Sequence, residues 1–236
     1  MEDSSHNSDR MHLDRVVFFG RTLSEYVKFF DLDLSQWQKC QILDCPSGAA
    51  SFAAEANQMG IQAVAGDLLF NLDAKLLIDK GKADFNHVVE RVSLVSHLYN
   101  WEFYGGFAGF KEARQTAFQR FAQDYETGLK AGRYIKAELP NLPFADKSFD
   151  LVLSGHFLFL YSDYFDYTFH LHSIFELYRV CSREVRIYPL QGMNAKQYQF
   201  MNNLLSDLKS KSIVSEIVTV SWEFQKGSNQ MLRLRR

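Results

Sequence analysis

The sequence predicts an α/β fold. We expect a doubly wound, mostly parallel seven-stranded sheet with a C-terminal antiparallel hairpin, an N-terminal helix, and a helical, aromatic-rich insertion between strands 2 and 3. Three observations predict it. Short apolar runs, several of them ending at an acidic residue, alternate with helical patterns along the chain. The C-terminal tail changes to the two-residue alternation of antiparallel strands. About 60 residues between the second and third strands contain no convincing strand.

The first element is a strand, turn and helix at Cys40–Gly60, which reads CQILDCPSGAASFAAEANQMG. A short apolar strand ends at Asp44, and a turn containing Pro and Gly follows. Phe52 and Ala56 then recur at helical spacing until Gly60 ends the helix. This order is typical of the first half of a βαβ unit.

A second strand follows directly. Ile61–Ala65 leads into Asp67, which lies 23 residues after Asp44. The carboxyl ends of parallel strands meet at one edge of a sheet, where doubly wound folds bind nucleotides. We therefore expect both carboxylates at a ligand crevice.

The remaining strands and helices follow at longer intervals. Thr22–Phe30 is predicted to be a helix before the first strand, and Phe175–Val180 a helix before the fifth. The predicted third, fourth and fifth strands are Tyr134–Ala137, which ends at Glu138, Phe149–Ser154 and Glu184–Leu190. The alternating residues of Val218–Phe224 and the strand Met231–Arg235, joined by a turn at Lys226–Asn229, are predicted to form a terminal hairpin.

The stretch Asn71–Gly132 is predicted to be a helical insertion, because it is longer than a simple crossover needs. Its centre, Tyr99–Tyr125, holds nine aromatic residues in 27. This matches the composition of the whole chain, in which 21 Phe, 11 Tyr and 3 Trp accompany 13 Gly and 4 Pro. Average usage is roughly 7% Gly and 5% Pro, so the chain is rich in aromatic residues and poor in both.

Composition and charge exclude several classes. The 236 residues are 47% hydrophobic and 23% charged, which is typical of a globular protein and excludes disordered and fibrous classes. With 26 basic and 28 acidic side chains, the chain lacks the basic excess that nucleic-acid or anionic-membrane binding requires. We expect the basic terminus, Arg233 to Arg236, to be a solvated chain end. No apolar run approaches the roughly 18 residues of a membrane helix.

Cysteine usage favours a cytoplasmic protein. Cys40, Cys45 and Cys181 show no paired metal-ligand spacing, and no secretory signal precedes them. We expect reduced thiols and a polar, frayed start at Met1–Asp9. His170 and His172 are two residues apart and would diverge on a helix, so no metal site is expected there.

The segment Asp44-Cys45-Pro46-Ser47-Gly48-Ala49-Ala50 carries a family resemblance. Together with the order of acidic strand ends, it resembles the first motif of the class I, Rossmann-like methyltransferases that depend on S-adenosylmethionine, and the similarity covers roughly Cys40–Arg236. Pro46 and Ala50 stand where the family has glycines, and Gly48 remains. The cofactor of this family has no phosphate, so small residues suffice for the loop to approach it.

The resemblance implies a set of cofactor-binding residues. Asp67 would accept hydrogen bonds from both ribose hydroxyls, Glu138 would face the adenine amino group, and Arg21 would pair with the methionyl carboxylate. The full set is Arg21, Asp44, Pro46, Gly48, Asp67, Glu138, Leu139, Asn141, Ser154 and Gly155. The candidate catalytic residues are Tyr26, Trp101, His156 and Tyr161, as aromatic rings near a sulfonium or, for His156, as a general base.

Each candidate also has a structural interpretation. Asp67 could cap the next helix, Glu138 could be a solvated loop carboxylate, and Arg21 could be a surface charge. Tyr26 and most of the aromatic rings could be ordinary core residues. The domain arrangement implied by the resemblance is an N-terminal tail and lid helices at 1–39, followed by one S-adenosylmethionine-binding domain at 40–236 with the insertion at about 71–132.

Three functions stay open at this stage. The first is methyl transfer from S-adenosylmethionine to a small molecule in an enclosed aromatic pocket. The second is cyclisation, as in the azetidine-2-carboxylate synthases of similar fold, where the substrate's own α-amine displaces methylthioadenosine. The third is a non-catalytic binding protein, which the reduced glycine motif would fit. We expect no metal, no nucleic acid and no membrane as partners, and the sequence leaves the oligomeric state open.

Overall fold

A computed structural model of the protein describes residues 10–236. The expected frayed start at 1–9 lies outside the described residues. The described chain forms one seven-stranded sheet flanked by six α-helices. The strands are β1 Gln41–Asp44, β2 Gln62–Asp67, β3 Tyr134–Lys136, β4 Phe149–Gly155, β5 Cys181–Tyr188, β6 Val214–Thr219 and β7 Gln230–Arg235. The helices are α1 Leu23–Phe29, α2 Phe52–Gln58, α3 Ala74–Leu94, α4 Phe107–Lys130, α5 Tyr167–Val180 and α6 Met201–Ser210.

The strand order is β3-β2-β1-β4-β5-β7-β6. The first five strands are parallel, and β7 is antiparallel to both β5 and β6. The direction of winding reverses between β1 and β4, and a doubly wound sheet places its ligand crevice beside such a reversal. The predicted fold class, with its C-terminal hairpin and its insertion between β2 and β3, is confirmed.

The sheet is buried on both faces. Alternate residues of β1 and β4 point to opposite sides, as the pleat requires. Ile42 and Leu151 belong to one hydrophobic cluster, and their neighbours Leu43 and Val152 belong to a second. A third cluster lies outside these two layers, between the insertion and the N-terminal segment. The first two clusters stabilise the sheet, and the third surrounds part of the cavity described below.

The sixth strand is placed differently from our prediction. The sequence alternates over Val218–Phe224, but β6 covers Val214–Thr219 and the following residues leave the ladder. Trp222 packs instead against Phe103, with ring centroids 4.5 Å apart. The carbonyl of Phe224 accepts a hydrogen bond of 2.7 Å from the backbone of Asn100. Contacts with the insertion therefore replace pairing with β7 in this segment.

Helix α6 was not among the predicted elements. Its buried residues are Met201, Leu204 and Leu208, which repeat at three and four positions. That spacing is helical, but the segment is short and mostly polar, and its pattern is weak without knowledge of the surface that it covers. None of the described helices is long and apolar enough to cross a membrane.

A buried ion pair joins the insertion to α1. The guanidinium of Arg114 on α4 contacts the carboxylate of Glu25, and the hydroxyl of Tyr104 donates to the same carboxylate. A second guanidinium nitrogen donates to the carbonyl of Gly20 at 2.8 Å. Glu25 also accepts hydrogen bonds of 2.8 and 2.9 Å from the backbone and hydroxyl of Thr22. The pair is buried but extensively hydrogen-bonded, which is the arrangement that such pairs need.

Replacement of Arg114 should therefore be costly. We expect Arg114→Met to lower the free energy of unfolding by about 3–5 kcal/mol, because Glu25 would remain buried without its cation. Arg120→Met is the matched control on the same helix, since Arg120 is half exposed in its pair with Glu55 and should cost no more than about 1 kcal/mol. Urea denaturation measures both. Equal losses in the two variants would contradict a special role for the buried pair.

Candidate functional site

Residues 10–21 form an extended segment, here called the strap, that crosses the carboxyl end of the sheet. Several hydrogen bonds hold it. The backbone of Phe18 donates to buried Asp84 at 2.7 Å, and that of Val17 donates to the hydroxyl of Tyr161 at 3.2 Å. Its C-terminal end is held by a hydrogen bond of 3.1 Å, which the amide of Ser51 donates to the carbonyl of Arg21. The cover over the crevice is thus mainly this extended segment, which precedes α1.

Two glycines allow the strap to lie directly on the loop after β1. A Cβ on Gly20 would overlap the carbonyl of Ala49. A Cβ on Gly48 would lie 2.5 Å from the carbonyl oxygen of Phe19, and Gly48 has a φ of +55°. A side chain at either position would force the two backbones apart. The surviving glycine of the motif is therefore required here by the strap as well as by the turn.

The strap encloses a cavity of about 410 Å³. One side is formed by residues at or just beyond the carboxyl ends of β1 to β5. The other side is formed by the strap, α3, the segment after β4 and parts of the C-terminal tail. The sheet side of the lining includes Pro46, Ser47, Gly48, Asp67, Glu138, Leu139, Gly155, His156 and Tyr188. Ligand sites of this fold class lie at this end of the sheet.

Asp67 is the last residue of β2 and lines the cavity. Its two carboxylate oxygens accept backbone hydrogen bonds, one from Gly48 at 2.9 Å and one from Leu69 at 3.0 Å. Burial raises the pKa of Asp67, while these two amides and Lys80 oppose the rise. Each carboxylate oxygen can accept two hydrogen bonds, so Asp67 retains capacity for two further donors.

Glu138 and Leu139 follow β3 and also line the cavity. Glu138 is exposed, and its carbonyl accepts a hydrogen bond of 2.8 Å from the amide of Asn141, which closes a tight turn. Asn141 itself is not among the residues that line the cavity. A carboxylate and an apolar side chain are therefore presented side by side at the end of β3.

Arg21 is the cation of the strap that faces the cavity. Within residues 10–236 its guanidinium makes no hydrogen bond and no ion pair, and Tyr26, Tyr104, Tyr161 and Tyr188 are among the groups near enough to interact with its charge. Burial lowers the pKa of Arg21. An arginine nevertheless stays protonated in proteins. The cavity thus contains a positive charge that an anionic ligand group would neutralise.

Asp44 lies behind the cavity wall and is fully buried. The hydroxyl of Tyr26 donates to its Oδ2 at 2.8 Å, while Oδ1 has no partner among the described residues. Burial raises the pKa of Asp44 well above its usual value, with a smaller contribution from the charge of Asp67. Tyr26 lines the cavity and stacks on Phe52 at 4.6 Å. Asp44 therefore holds Tyr26 in place from below.

His156 follows the last residue of β4 and lines the cavity with a φ of +54°. Its ring packs edge-on against Phe29 at 4.9 Å and against Tyr188 at 5.1 Å. Burial lowers its pKa well below the usual value, helped by the positive charges of Arg21 and Arg114. Nδ1 has no partner within the described chain. The imidazole is thus neutral near pH 7.

The cavity includes most, but not all, of the candidates from the sequence. It is lined by Tyr26, His156, Tyr161, Arg21, Pro46, Gly48, Asp67, Glu138, Leu139 and Gly155. Four candidates lie outside the lining: Asp44, Asn141, Ser154 and Trp101. The indole of Trp101 donates to the carbonyl of Ser96 at 2.9 Å and packs on Phe110, so it supports the wall from behind.

The residues that fix the strap were not among those predicted from the sequence. Arg114 falls on the buried stripe of α4 between Phe110 and Ala117, and Asp84 falls on that of α3 between Gly81 and Val88. A charged residue at a core position of an amphipathic helix signals a buried partner. This signal was present, but the partners could not be identified, since they lie more than 60 positions away along the chain.

The three cysteines are free thiols, and Cys45 and Cys181 are buried. Among residues 10–236, no group of three or more His, Cys, Asp or Glu side chains is placed to hold a metal ion.

The strand order, the C-terminal hairpin and the crevice at the strand ends define a class I, Rossmann-like methyltransferase fold. The chain belongs to the same family as the uncharacterized protein MJ0045 of Methanocaldococcus jannaschii, with 32% identity over 227 residues that cover 96% of this chain and 99% of that protein. No family model matches the chain.

Solved structures with weaker likeness include two bacterial proteins described as methyltransferases dependent on S-adenosylmethionine. The first, from Aquifex aeolicus, is 15% identical, with a TM-score of 0.43 over 89% of this chain and 90% of that one. The second, a TehB-like protein from Corynebacterium glutamicum, is 14% identical, with a TM-score of 0.45 over 86% and 84%.

The burial of Asp44 makes stability depend on pH. Because its folded-state pKa is raised, the folded protein keeps a proton that the unfolded chain releases above about pH 4. The free energy of unfolding therefore falls as the pH rises from about 4 through the pKa of Asp44 in the folded protein. Asp44→Asn lacks this effect. We expect its free energy of unfolding minus that of the wild type to increase by up to about 1.4 kcal/mol for each pH unit in this window.

Urea denaturation between pH 4 and 8 measures this difference. Asp79→Asn is the control, because Asp79 lies on the surface of α3 and is 59% exposed. A difference between Asp44→Asn and the wild type that stays constant with pH would show that Asp44 is ionised in the folded protein.

Proposed function

We propose that the protein binds S-adenosylmethionine in the cavity and transfers the methyl group to a small-molecule acceptor. The observation that carries this proposal is the arrangement of charges. Two carboxylates, Asp67 and Glu138, follow neighbouring strands, and the cation Arg21 faces the same cavity. S-adenosylmethionine offers hydroxyl and amino donors at one end and a carboxylate at the other, so the charges complement it.

The residues present fit this cofactor. Asp67 has free acceptor capacity for two ribose hydroxyls, and Glu138 is exposed to accept from an adenine amino group beside Leu139. Arg21, without an ion-pair partner in the described chain, would take the carboxylate. The reduced glycine content of the loop after β1 is compatible, because no phosphate has to be bound there.

The cofactor supplies a methyl group on a sulfonium, which is an electrophile that needs little activation. The strap and the tyrosine rings that line the cavity would shield the reacting groups from water, which would otherwise compete with the acceptor. Aromatic faces also attract a sulfonium cation, by about 0.5–2 kcal/mol each. Transfer then depends mainly on holding the acceptor in line with the reacting bond.

His156 is the residue suited to remove a proton from the acceptor. It lines the cavity as a neutral imidazole at the end of β4. A neutral imidazole can take up a proton as it leaves an acceptor hydroxyl or amine.

Product analysis tests the proposal. Purified protein is incubated with S-adenosylmethionine alone and with fractionated cell extract, and the products are identified by mass spectrometry. Formation of S-adenosylhomocysteine that requires the extract is the expected result. Methylthioadenosine together with azetidine-2-carboxylate, without extract, would support cyclisation instead. Failure to bind S-adenosylmethionine in calorimetry would contradict both activities.

The role of Arg21 can be separated from that of the other binding residues. We expect Arg21→Met to weaken binding of S-adenosylhomocysteine by about 10-fold to 100-fold, since a charge-assisted contact contributes about 1.5–3 kcal/mol. Binding of methylthioadenosine, which lacks the amino-acid moiety, should stay within about twofold of the wild type. Isothermal titration calorimetry measures both ligands.

Arg91→Met, on the exposed face of α3, is the control and should change neither affinity. An equal loss for both ligands in Arg21→Met would indicate damage to the fold. Unchanged affinity for S-adenosylhomocysteine would show that the carboxylate is bound elsewhere.

A further inference from the structure

We propose that the acceptor is an uncharged, largely apolar molecule that binds between the strap, α3 and the segment after β4. This inference rests on the proposed function and names its substrate class. Two observations support it: the side of the cavity opposite the sheet is lined by apolar side chains, and the charged side chains near that side are paired with one another.

The side of the cavity opposite the sheet is an apolar wall. It is formed by Leu13, Val88, Val92, Phe157, Phe165 and Met193, all of which line the cavity. These residues belong to, or pack against, the third hydrophobic cluster, which is separate from the two clusters on the sheet faces. Leu13, Val88, Val92 and Met193 are each at most 7% exposed. The apolar wall is thus an enclosed surface of the interior.

The charges near the apolar wall are already paired. Lys80 lines the cavity, but its ammonium contacts Asp84 at 2.8 Å. Asp84 is also bound by Arg15 at 2.9 Å and by the amide of Phe18. Among the described lining residues, the charges left are Arg21, Asp67 and Glu138, which the cofactor would use. A charged acceptor would therefore lose its hydration at the apolar wall without gaining a partner.

The cavity also limits the size of the acceptor. Its volume of about 410 Å³ lies toward the lower end of the range of ligand pockets, roughly 300–1,000 Å³. The cofactor must share this space. We therefore expect an acceptor of about the size of a single ring or a short chain, with one protic group that takes the methyl.

His156 lies where the sheet side of the cavity meets the apolar wall, because the next residue, Phe157, is part of that wall. A hydroxyl or N–H of the acceptor beside His156 would face the methyl group. Its lone pair forms the new bond to carbon while the electrons of the carbon–sulfur bond pass to sulfur. The proton released by the acceptor goes to the imidazole and then to solvent.

Calorimetry in the presence of saturating S-adenosylhomocysteine tests the substrate class. The probes are 4-methylphenol and indole, which are neutral, and 4-methylbenzoate, which has a similar shape and a negative charge. We expect the neutral probes to bind at least tenfold more tightly than the anion. Binding of the anion as tight as that of the neutral probes, or binding of neither neutral probe, would overturn the inference.

Two variants that fill the site test its location. Val92→Phe and Met193→Phe should each weaken binding of 4-methylphenol at least tenfold and leave the affinity for S-adenosylhomocysteine within about threefold. Leu94→Phe is the control, since Leu94 is on the same helix as Val92 but 64% exposed, and it should change neither affinity. The retained affinity for S-adenosylhomocysteine reports that each variant is folded.

The outcomes separate the two proposals. Binding of S-adenosylhomocysteine with unchanged 4-methylphenol affinity in both filled variants would overturn the apolar acceptor site and leave the proposed function standing. The wild-type protein could instead bind 4-methylphenol but not S-adenosylhomocysteine. If Val92→Phe and Met193→Phe then lost 4-methylphenol binding and Leu94→Phe kept it, the result would support the apolar site and contradict the proposed function.

Discussion

The contact between the strap and the loop after β1 determines how the site is built. At Gly20 and Gly48 two backbones meet with no room for a Cβ on either side. This contact places a chain segment across the carboxyl end of the sheet, where an open crevice would otherwise be. Arg21 follows Gly20 directly and lines the cavity, and Tyr26 donates a hydrogen bond to Asp44. The enclosure and the charge of the cavity both follow from it.

The insertion between β2 and β3 acts mainly as an anchor for that strap. Arg114 and Asp84, one on each long helix, hold the backbone of the strap at two points. Many of the aromatic residues that are so frequent in this chain pack beside the strap: Trp101 packs on Phe110 and Phe224, and those two rings line the cavity. The excess of aromatic residues thus builds a third core beside the strap and also much of the cavity lining, in which eleven Phe and Tyr residues take part.

The sequence predicted the fold well and the site in part, for physical reasons. Strand ends are local features, so Asp67, Glu138 and His156 could be located from apolar runs that stop at polar residues. The strap has no periodic pattern, and its position depends on distant partners such as Asp84. Likewise, β6 ended early because Trp222 packs on the insertion, and alternation alone does not report such competition. What the sequence lacked was the identity of long-range partners.

A crystal structure of the protein with S-adenosylhomocysteine would show whether the cavity at the strand ends is an S-adenosylmethionine site. We expect density in the cavity, with the ribose hydroxyls on the carboxylate of Asp67, the adenine beside Leu139 and the carboxylate on Arg21. A ligand bound outside the cavity, or a cavity without ligand at saturating concentration, would contradict this expectation.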